Sequence, residues 1–446
     1  MYAIVHSEGT KEKWPKALEA LRVKYETKWP SRVKVFCYGN GEEVSTVLPQ
    51  LSEFRPAYTC FLAHYSEAIA PFVVEVHQLT RKIDPANPYT DTIWGILTGI
   101  NEDDVLFAIN EVELTVHRVL GGTPVNLNKF ESGSWYNEGV AGASVHKVTE
   151  EEGVVKKECP LDATSVLTGE LSAERNVANG TGVDMMVTSG HASERDWNIG
   201  YSFKSGKFIC PTGEMVGQAL DGSIHPIKHN GKPKILSAAG NCLVGNIDGK
   251  NCMALAWMHS VGVVQMTGYL VSTWYGYGGW GVHQYFIDMP GTLSFSQSFF
   301  ANNQSLIYKL HSEYPEVASI IDSGIDPKDV SHGVDKDCAG LLHDRDVVAF
   351  YGDPAFEAKL ATKEDETPYT VTILQLASET QGDWKKYEAK FVFKSSFGRH
   401  PIYIFPEAVT GYRLLGGEAV LTCRFLMFTG SFKAEEEHII IYEIIH

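Results

Sequence analysis

Residues 183–197 read Val-Asp-Met-Met-Val-Thr-Ser-Gly-His-Ala-Ser-Glu-Arg-Asp-Trp. The run 183–188 is short and apolar, without helical spacing, and it stops at Ser189-Gly190-His191. A run of this kind reads as a strand buried on both faces, and such strands belong to parallel sheets. Two more runs follow the same pattern. Residues 233–239 (PKILSAA) stop at Gly240-Asn241-Cys242, and residues 261–273 stop at the aromatic, glycine-rich segment 274–281 (WYGYGGWG), read as a loop.

Upstream, short apolar runs alternate with amphipathic stretches. Strands are expected over 2–6, 33–38, 57–63 and 93–98. Helices are expected over 11–29, where Trp14, Leu18, Leu21 and Tyr25 recur three or four apart, and over 42–51, 68–83 and 103–119. Four β-then-α units in succession predict a parallel sheet with helices on its faces, and reactive groups at the carboxyl ends of its strands. The stretch 120–180 is rich in Gly and Ser, carries the charged segment 149–157 (TEEEGVVKK), and reads as loops with one or two helices. Residues 303–312 read as a helix, and 347–351 as a strand ending at Gly352-Asp353-Pro354. Beyond 365 the texture changes to alternating runs (369–376, 387–393, 401–405, 419–428, 438–445) separated by turn residues. That pattern predicts a small β-sandwich. The expected organisation is therefore α/β: a subdomain over 1–120, a second over 121–360, and an all-β domain over 366–446.

The 446 residues fit roughly three domains. With 38 basic against 55 acidic residues, the net charge of −17 argues against a nucleic-acid or anionic-membrane partner, since both need clustered Lys and Arg. No apolar run reaches the length of a membrane span. The eight cysteines are scattered without a CxxC pair, so neither a zinc ribbon nor a disulfide scaffold is written here. The start, Met1-Tyr2-Ala3-Ile4-Val5-His6, enters a strand directly and lacks a signal peptide's basic and apolar segments. The chain as it stands reads as cytoplasmic, or as secreted or periplasmic if a leader was trimmed.

His191 and Cys242 follow two buried strands. If those strands are neighbours, both side chains emerge on one rim. A free thiol is mostly protonated at neutral pH, and an adjacent imidazole favours the thiolate and later returns a proton to the leaving group. The plainer alternative is an inert core thiol and an ordinary loop histidine. Their separation of 51 positions matches the His-to-Cys spacing of about 50 in caspases.

The flanks of both residues resemble the gingipain family of caspase-like cysteine endopeptidases. His191-Ala192-Ser193-Glu194-Arg195-Asp196-Trp197 is similar to the family's His-Gly-Ser-Glu-x-x-Trp motif. Cys242-Leu243-Val244-Gly245-Asn246-Ile247 is similar, from the cysteine on, to its Ala-Cys-x-x-Gly-Asp/Asn-Phe motif. Cys252-Met253-Ala254-Leu255-Ala256 resembles the helix after the nucleophile, and Tyr351-Gly352-Asp353-Pro354-Ala355 the segment that closes the catalytic domain. The likeness spans nearly the whole chain in the same order. It implies a caspase-like catalytic unit in two α/β subdomains followed by an immunoglobulin-like sandwich. It implies a peptidase acting on protein or peptide substrates, with Cys242 as nucleophile, His191 as acid–base, and the backbone N–H groups of Cys242 and Ala192 as oxyanion hole. Asp91, in Asp91-Thr92-Ile93-Trp94-Gly95, takes the place of the carboxylate that orients the histidine; a capping role is the plainer reading. Trp274, Tyr277 and Trp280 are expected to line a substrate pocket. No cofactor is required; relatives hold structural calcium, for which no acidic loop is assigned here. Ala192 stands where the family has Gly, and Gly95-Ile96 where it has Gly-Arg, so a basic-residue preference does not carry over. A degenerate relative acting as a peptide-binding or interaction module is the alternative, and an acyl-transferring ligase a third reading.

Other patterns carry less. Residues 276–281 satisfy GxGxxG but lack the βαβ setting of a dinucleotide site. His225 and His229 are four apart, but Pro226 and Asn230-Gly231 argue against a helix that would present them to a metal. His259 is expected to pack, and no GxSxG elbow is present.

Overall fold

A computed structural model describes residues 1–136, 142–174, 182–200, 204–362, 366–377 and 383–445. The molecule is mixed α/β, with one large, mostly parallel sheet and several small antiparallel ones. The large sheet has twelve strands in the order Val33–Tyr38, Tyr2–Ser7, Tyr58–Leu62, Ile93–Leu97, Val348–Gly352, Val263–Tyr269, Lys234–Asn241, Met185–Gly190, Arg118–Gly121, Ser132–Tyr136, Ala143–Lys147, Val155–Glu158. The first five run parallel to one another, as do the next five. The two sets meet in an antiparallel seam, where Val348–Gly352 pairs with Val263–Tyr269. The carboxyl ends of one half therefore share an edge with the amino ends of the other.

The central strands are apolar because both faces are covered. Every residue of Ile93–Leu97 and Val263–Tyr269 is buried. One continuous core runs from Tyr2 and Ile4 through Phe61, Trp94 and Phe350 to Met266, Leu236 and Val187. The buried polar side chain of Gln265 is held at the seam, its amide donating to the carbonyls of Asp353 (2.7 Å) and Phe356 (3.1 Å).

The structure corrects four expectations. The helix expected over 11–29 is two, Glu8–Lys13 and Pro15–Lys28, broken at Trp14 because Pro15 lacks an N–H and favours a helix's first turn. The helix expected over 103–119 ends as Glu102–Asn110. Its start is fixed by a capping box between Asn101 and Asp104, and the β-branched stretch that follows forms strands Glu113–Val116 and Arg118–Gly121. The region 120–180, read as loops with helices, supplies three further strands of the sheet and one helix, Thr164–Ser172. Residues 277–288, read partly as a loop, form helix Tyr277–Asp288. Its glycines lie on the packed face, where a Cβ on Gly279 would run into the Ala239 carbonyl and one on Gly281 into Asn302. Glycine here permits close packing rather than a loop.

The C-terminal region forms two antiparallel sheets. One holds Tyr369–Gln375, Lys385–Phe393, Glu437–Ile445 and Gly411–Gly416; the other holds Ile402–Ile404, Phe425–Phe428 and Ala419–Leu421. Aromatic side chains join them, with Phe391 and Phe393 against Phe428, and Phe405 against Tyr442. The strand order differs from an immunoglobulin constant domain. There the fifth strand lies between the second and fourth, whereas here the last strand, Glu437–Ile445, takes that place. The two packed sheets differ from that domain in connectivity.

Candidate active site

The strands that end at His191 and Cys242 are parallel neighbours, with Met185 opposite Ile235 and Gly190 opposite Asn241. Neighbouring strands lie about 4.8 Å apart, so the residues leaving this last pair, His191 and Cys242, start side by side. The register shifts by one residue between Thr188 and Ser189, a bulge just below the rim. Bulges re-aim the side chains that follow them. Asn241 is fully buried and ties the two ends together: its side-chain amide donates to the Gly190 carbonyl (3.1 Å), and its side-chain oxygen accepts from the Thr188 hydroxyl.

The loops beyond the strands are laced to each other. Arg195 donates two parallel bonds to Asp248, at 2.6 and 2.7 Å, and Asn246 donates to Glu194 at 3.0 Å. The Met253 N–H bonds the Glu194 carbonyl (2.8 Å). Beneath them Trp197 is buried, its indole N–H donating to the Ser189 carbonyl (2.8 Å) and its ring lying where a Cβ on Gly122 would stand. The chain turns back at Ala192, which bridges Trp197. The two bonds of that bridge use the His191 carbonyl and the Ser193 N–H, so they leave the Ala192 N–H out of the pairing.

Cys242 is half-buried, and His191 is exposed. The backbone N–H of Thr273 points at the Cys242 sulfur, at 3.1 Å. The Thr273 hydroxyl also bonds the Asn241 carbonyl (3.3 Å). Leu243 has φ of 60°, a left-handed conformation that costs a branched side chain energy. It is held there by its N–H to the Val271 carbonyl (3.1 Å) and by the next turn, where the Gly245 N–H reaches the Tyr269 carbonyl (2.9 Å). Gly245 and Gly268 lie back to back, and a Cβ on Gly245 would run into the Gly268 carbonyl.

The aromatic segment divides. Trp274 follows Thr273, is half-exposed, and leans on His343. Trp280 sits over the Cys strand: its indole nitrogen would lie 3.1 Å from a Cβ on Gly240. Tyr277 is turned away into packing. Its hydroxyl pairs with Ser305 (3.0 Å), and the Arg399 guanidinium covers its ring at 4.1 Å. The expectation that all three line one pocket is corrected for Tyr277, whose ring is spoken for by the fold.

Asp91 is also corrected. It lies at the amino end of Ile93–Leu97, on the same sheet edge as Cys242, but three strands stand between that strand and the His strand. Four inter-strand steps amount to about 19 Å, beyond hydrogen-bond reach of His191. Asp91 is instead buried against the C-terminal region, accepting from the Asp84 N–H (2.9 Å) and the Cys423 thiol (3.4 Å). Burial raises its pKa to about 7. Among the described residues, Asp84, Asp91 and Cys423 offer ligand atoms within 4.8 Å of one another, a geometry a cation would accept. The Tyr412 hydroxyl also donates to Asp84 (2.9 Å), and this network reads as a joint between regions. His259 lies between Asp104 (2.7 Å) and Glu214 (3.3 Å), away from the Cys–His rim. His225 lies on the short strand Ile224–Pro226, and His229 packs on Phe107, so no helix presents the pair.

Sequence reasoning missed Thr273, Asn241 and the pairs Arg195–Asp248 and Glu194–Asn246. The signal for the pairs was present: both hold opposite or complementary groups within six residues of His191 and Cys242. Thr273 acts through its backbone and left no signal in residue type.

No protein-family model matches the chain, and no curated protein matches it. A solved structure, the complex of Porphyromonas gingivalis RgpB pro- and mature domains, is similar over 98% of this chain and 92% of that one, at 10% identity and a TM-score of 0.44. At that identity and score the likeness assigns neither family nor activity. Among the described residues, no helix is long and apolar enough to cross a membrane.

Proposed function

We propose that the chain is a cysteine endopeptidase working through a Cys242–His191 dyad. The observation that supports this is the pairing of Gly190 with Asn241, from which the thiol and the imidazole leave adjacent parallel strands. His191 takes the Cys242 proton, and the thiolate attacks the peptide carbonyl. The Ala192 and Cys242 N–H groups receive the oxyanion. The imidazolium protonates the leaving amine as the C–N bond breaks, giving a thioester. Water, deprotonated by His191, then cleaves the thioester and releases the carboxylate product and the free thiol. These steps call on no cofactor and on no orienting role for Asp91. Trp274 and Trp280, flanking the rim, hold a substrate side chain in this reading.

The test is cleavage of a peptide library by wild type, Cys242→Ala and His191→Ala. The expected loss is at least about 10⁴-fold for the cysteine variant and about 10²–10⁴-fold for the histidine variant. Undiminished cleavage by Cys242→Ala overturns the proposal. A wild-type chain that retains peptides without cutting them assigns the other reading, a peptide-binding module, which the distance of Asp91 from His191 favours.

A further inference from the structure

Just below the rim, the pairing of the two strands that carry the site is interrupted. Thr188 pairs with Ala238 and Ser189 with Gly240, so Ala239 on the cysteine strand has no partner on the histidine strand. An extra residue disrupts the ladder locally and bends the strand that holds it. Regular pairing therefore does not set the bearing of what lies beyond. Two residues past Ser189 and Gly240 stand His191 and Cys242.

Asn241 spans the interruption. Its side chain is fully buried. Its side-chain oxygen accepts from the Thr188 hydroxyl, on the near side of the bulge. Its amide donates to the Gly190 carbonyl (3.1 Å), on the far side. One side chain thus holds the histidine strand at two points, and the second immediately precedes His191. The Asn241 carbonyl also accepts from the Thr273 hydroxyl (3.3 Å), and the Thr273 N–H points at the Cys242 sulfur (3.1 Å). The three segments that meet at the rim are tied through residue 241.

A buried amide adds little net stability, because its bonds replace bonds to water. What it adds is direction, since its oxygen can only accept and its nitrogen only donate. Direction matters here because Asp91, the carboxylate expected to orient the imidazole, stands four strands away. Alignment of the dyad falls to the strand ends that carry it.

We propose that Asn241 is the positioning residue of the dyad: by locking the two strand ends across the bulge, it sets the separation of the Cys242 sulfur and the His191 ring. This rests on the Cys242–His191 reading of the site. The step it serves is proton transfer from thiol to imidazole, in which the S–H bond breaks as the ring N–H bond forms. Asn241 itself neither gives nor takes a proton.

The experiment is a double-mutant cycle on the full chain with wild type, His191→Ala, Asn241→Leu and the double variant. Leucine keeps the volume and removes both side-chain bonds. The first readout is iodoacetamide labelling of Cys242 over about pH 5–9, where imidazole and thiol titrate. The second is kcat and KM for the best-cut peptide of a library. Asn241→Leu should take on the labelling profile of His191→Ala, and the double variant should add nothing further, as for residues that act as a unit. Its kcat should fall about 10–100-fold, the scale of a misplacement of about 1 Å, with KM within about twofold of wild type. Should Asn241→Leu fail to fold, Thr188→Val removes one of the two bonds at nearly constant shape and should move the profile the same way by less. A folded Asn241→Leu with the wild-type profile, additive effects in the double variant, or a change in KM alone each overturns the positioning role and leaves the dyad standing. An unchanged profile in His191→Ala overturns the dyad itself, and the positioning role with it.

Discussion

Two cysteines lie toward one edge of the same sheet, and their surroundings are opposite. Cys242 is half-buried, with a backbone N–H aimed at its sulfur and an imidazole leaving the neighbouring strand. Cys423 is buried, donates its thiol to the Asp91 carboxylate, and has its pKa pushed up, first by burial and then by the Asp91 charge. A carboxylate beside a buried thiol suppresses the thiolate. The same residue type thus meets opposite surroundings at the two places, and residue type alone does not tell them apart.

The largest test of that contrast is alkylation. With iodoacetamide at neutral pH, Cys242 should be labelled at least about 100-fold faster than Cys423, read by peptide mass spectrometry; equal rates would erase the distinction. Next is the packing that holds the Cys242 turn. Gly245→Ala should cost about 1–3 kcal/mol in urea unfolding, because its Cβ meets the Gly268 backbone, which has no rotamer to yield. An unaltered midpoint would show that the turn relaxes freely. At the Asp91 end the signature is pH. The folded pKa of about 7 lies above the unfolded value near 3.8, so the folded state holds the extra proton between them. Asp91's contribution is fully present below about pH 4 and is lost as pH rises through about 7, with a slope of up to about 1.4 kcal/mol per pH unit. Asp91→Asn should flatten the stability profile in that window; an unchanged slope would place the titration elsewhere. The smallest effect concerns Arg195→Ala. Its ion pair with Asp248 is roughly half-exposed, so stability should change by no more than about 1 kcal/mol while cleavage falls several-fold as the two loops lose register. A large stability loss would make the pair structural rather than a positioning device.

The contrast also marks how far the sequence could be read. The buried strands around 185 and 235 were legible because their apolar runs are continuous and end abruptly at Gly190-His191 and Asn241-Cys242. Their adjacency was a conditional, since pairing is a long-range property that no local run encodes. The seam escaped for the same reason: Val348–Gly352 looks like any buried strand, and only its partners reveal its direction. Asp91 was misread because spacing along the chain carries no information about the number of strands between two loops. Tyr277 was misread because a glycine-rich segment signals either freedom or close packing, and the neighbours Ala239 and Asn302 decide which.

The antiparallel seam also bears on synthesis. Strand Ile93–Leu97 is complete early, yet its partner on one side, Val348–Gly352, leaves the ribosome about 250 residues later. At about 5–20 residues per second, that interval lasts roughly 13–50 seconds. Throughout it the apolar edge formed by Ile93, Trp94 and Ile96 has no strand to pair with, a template for stray β-contacts in the nascent chain. The seam thus sets a waiting time before that edge is paired.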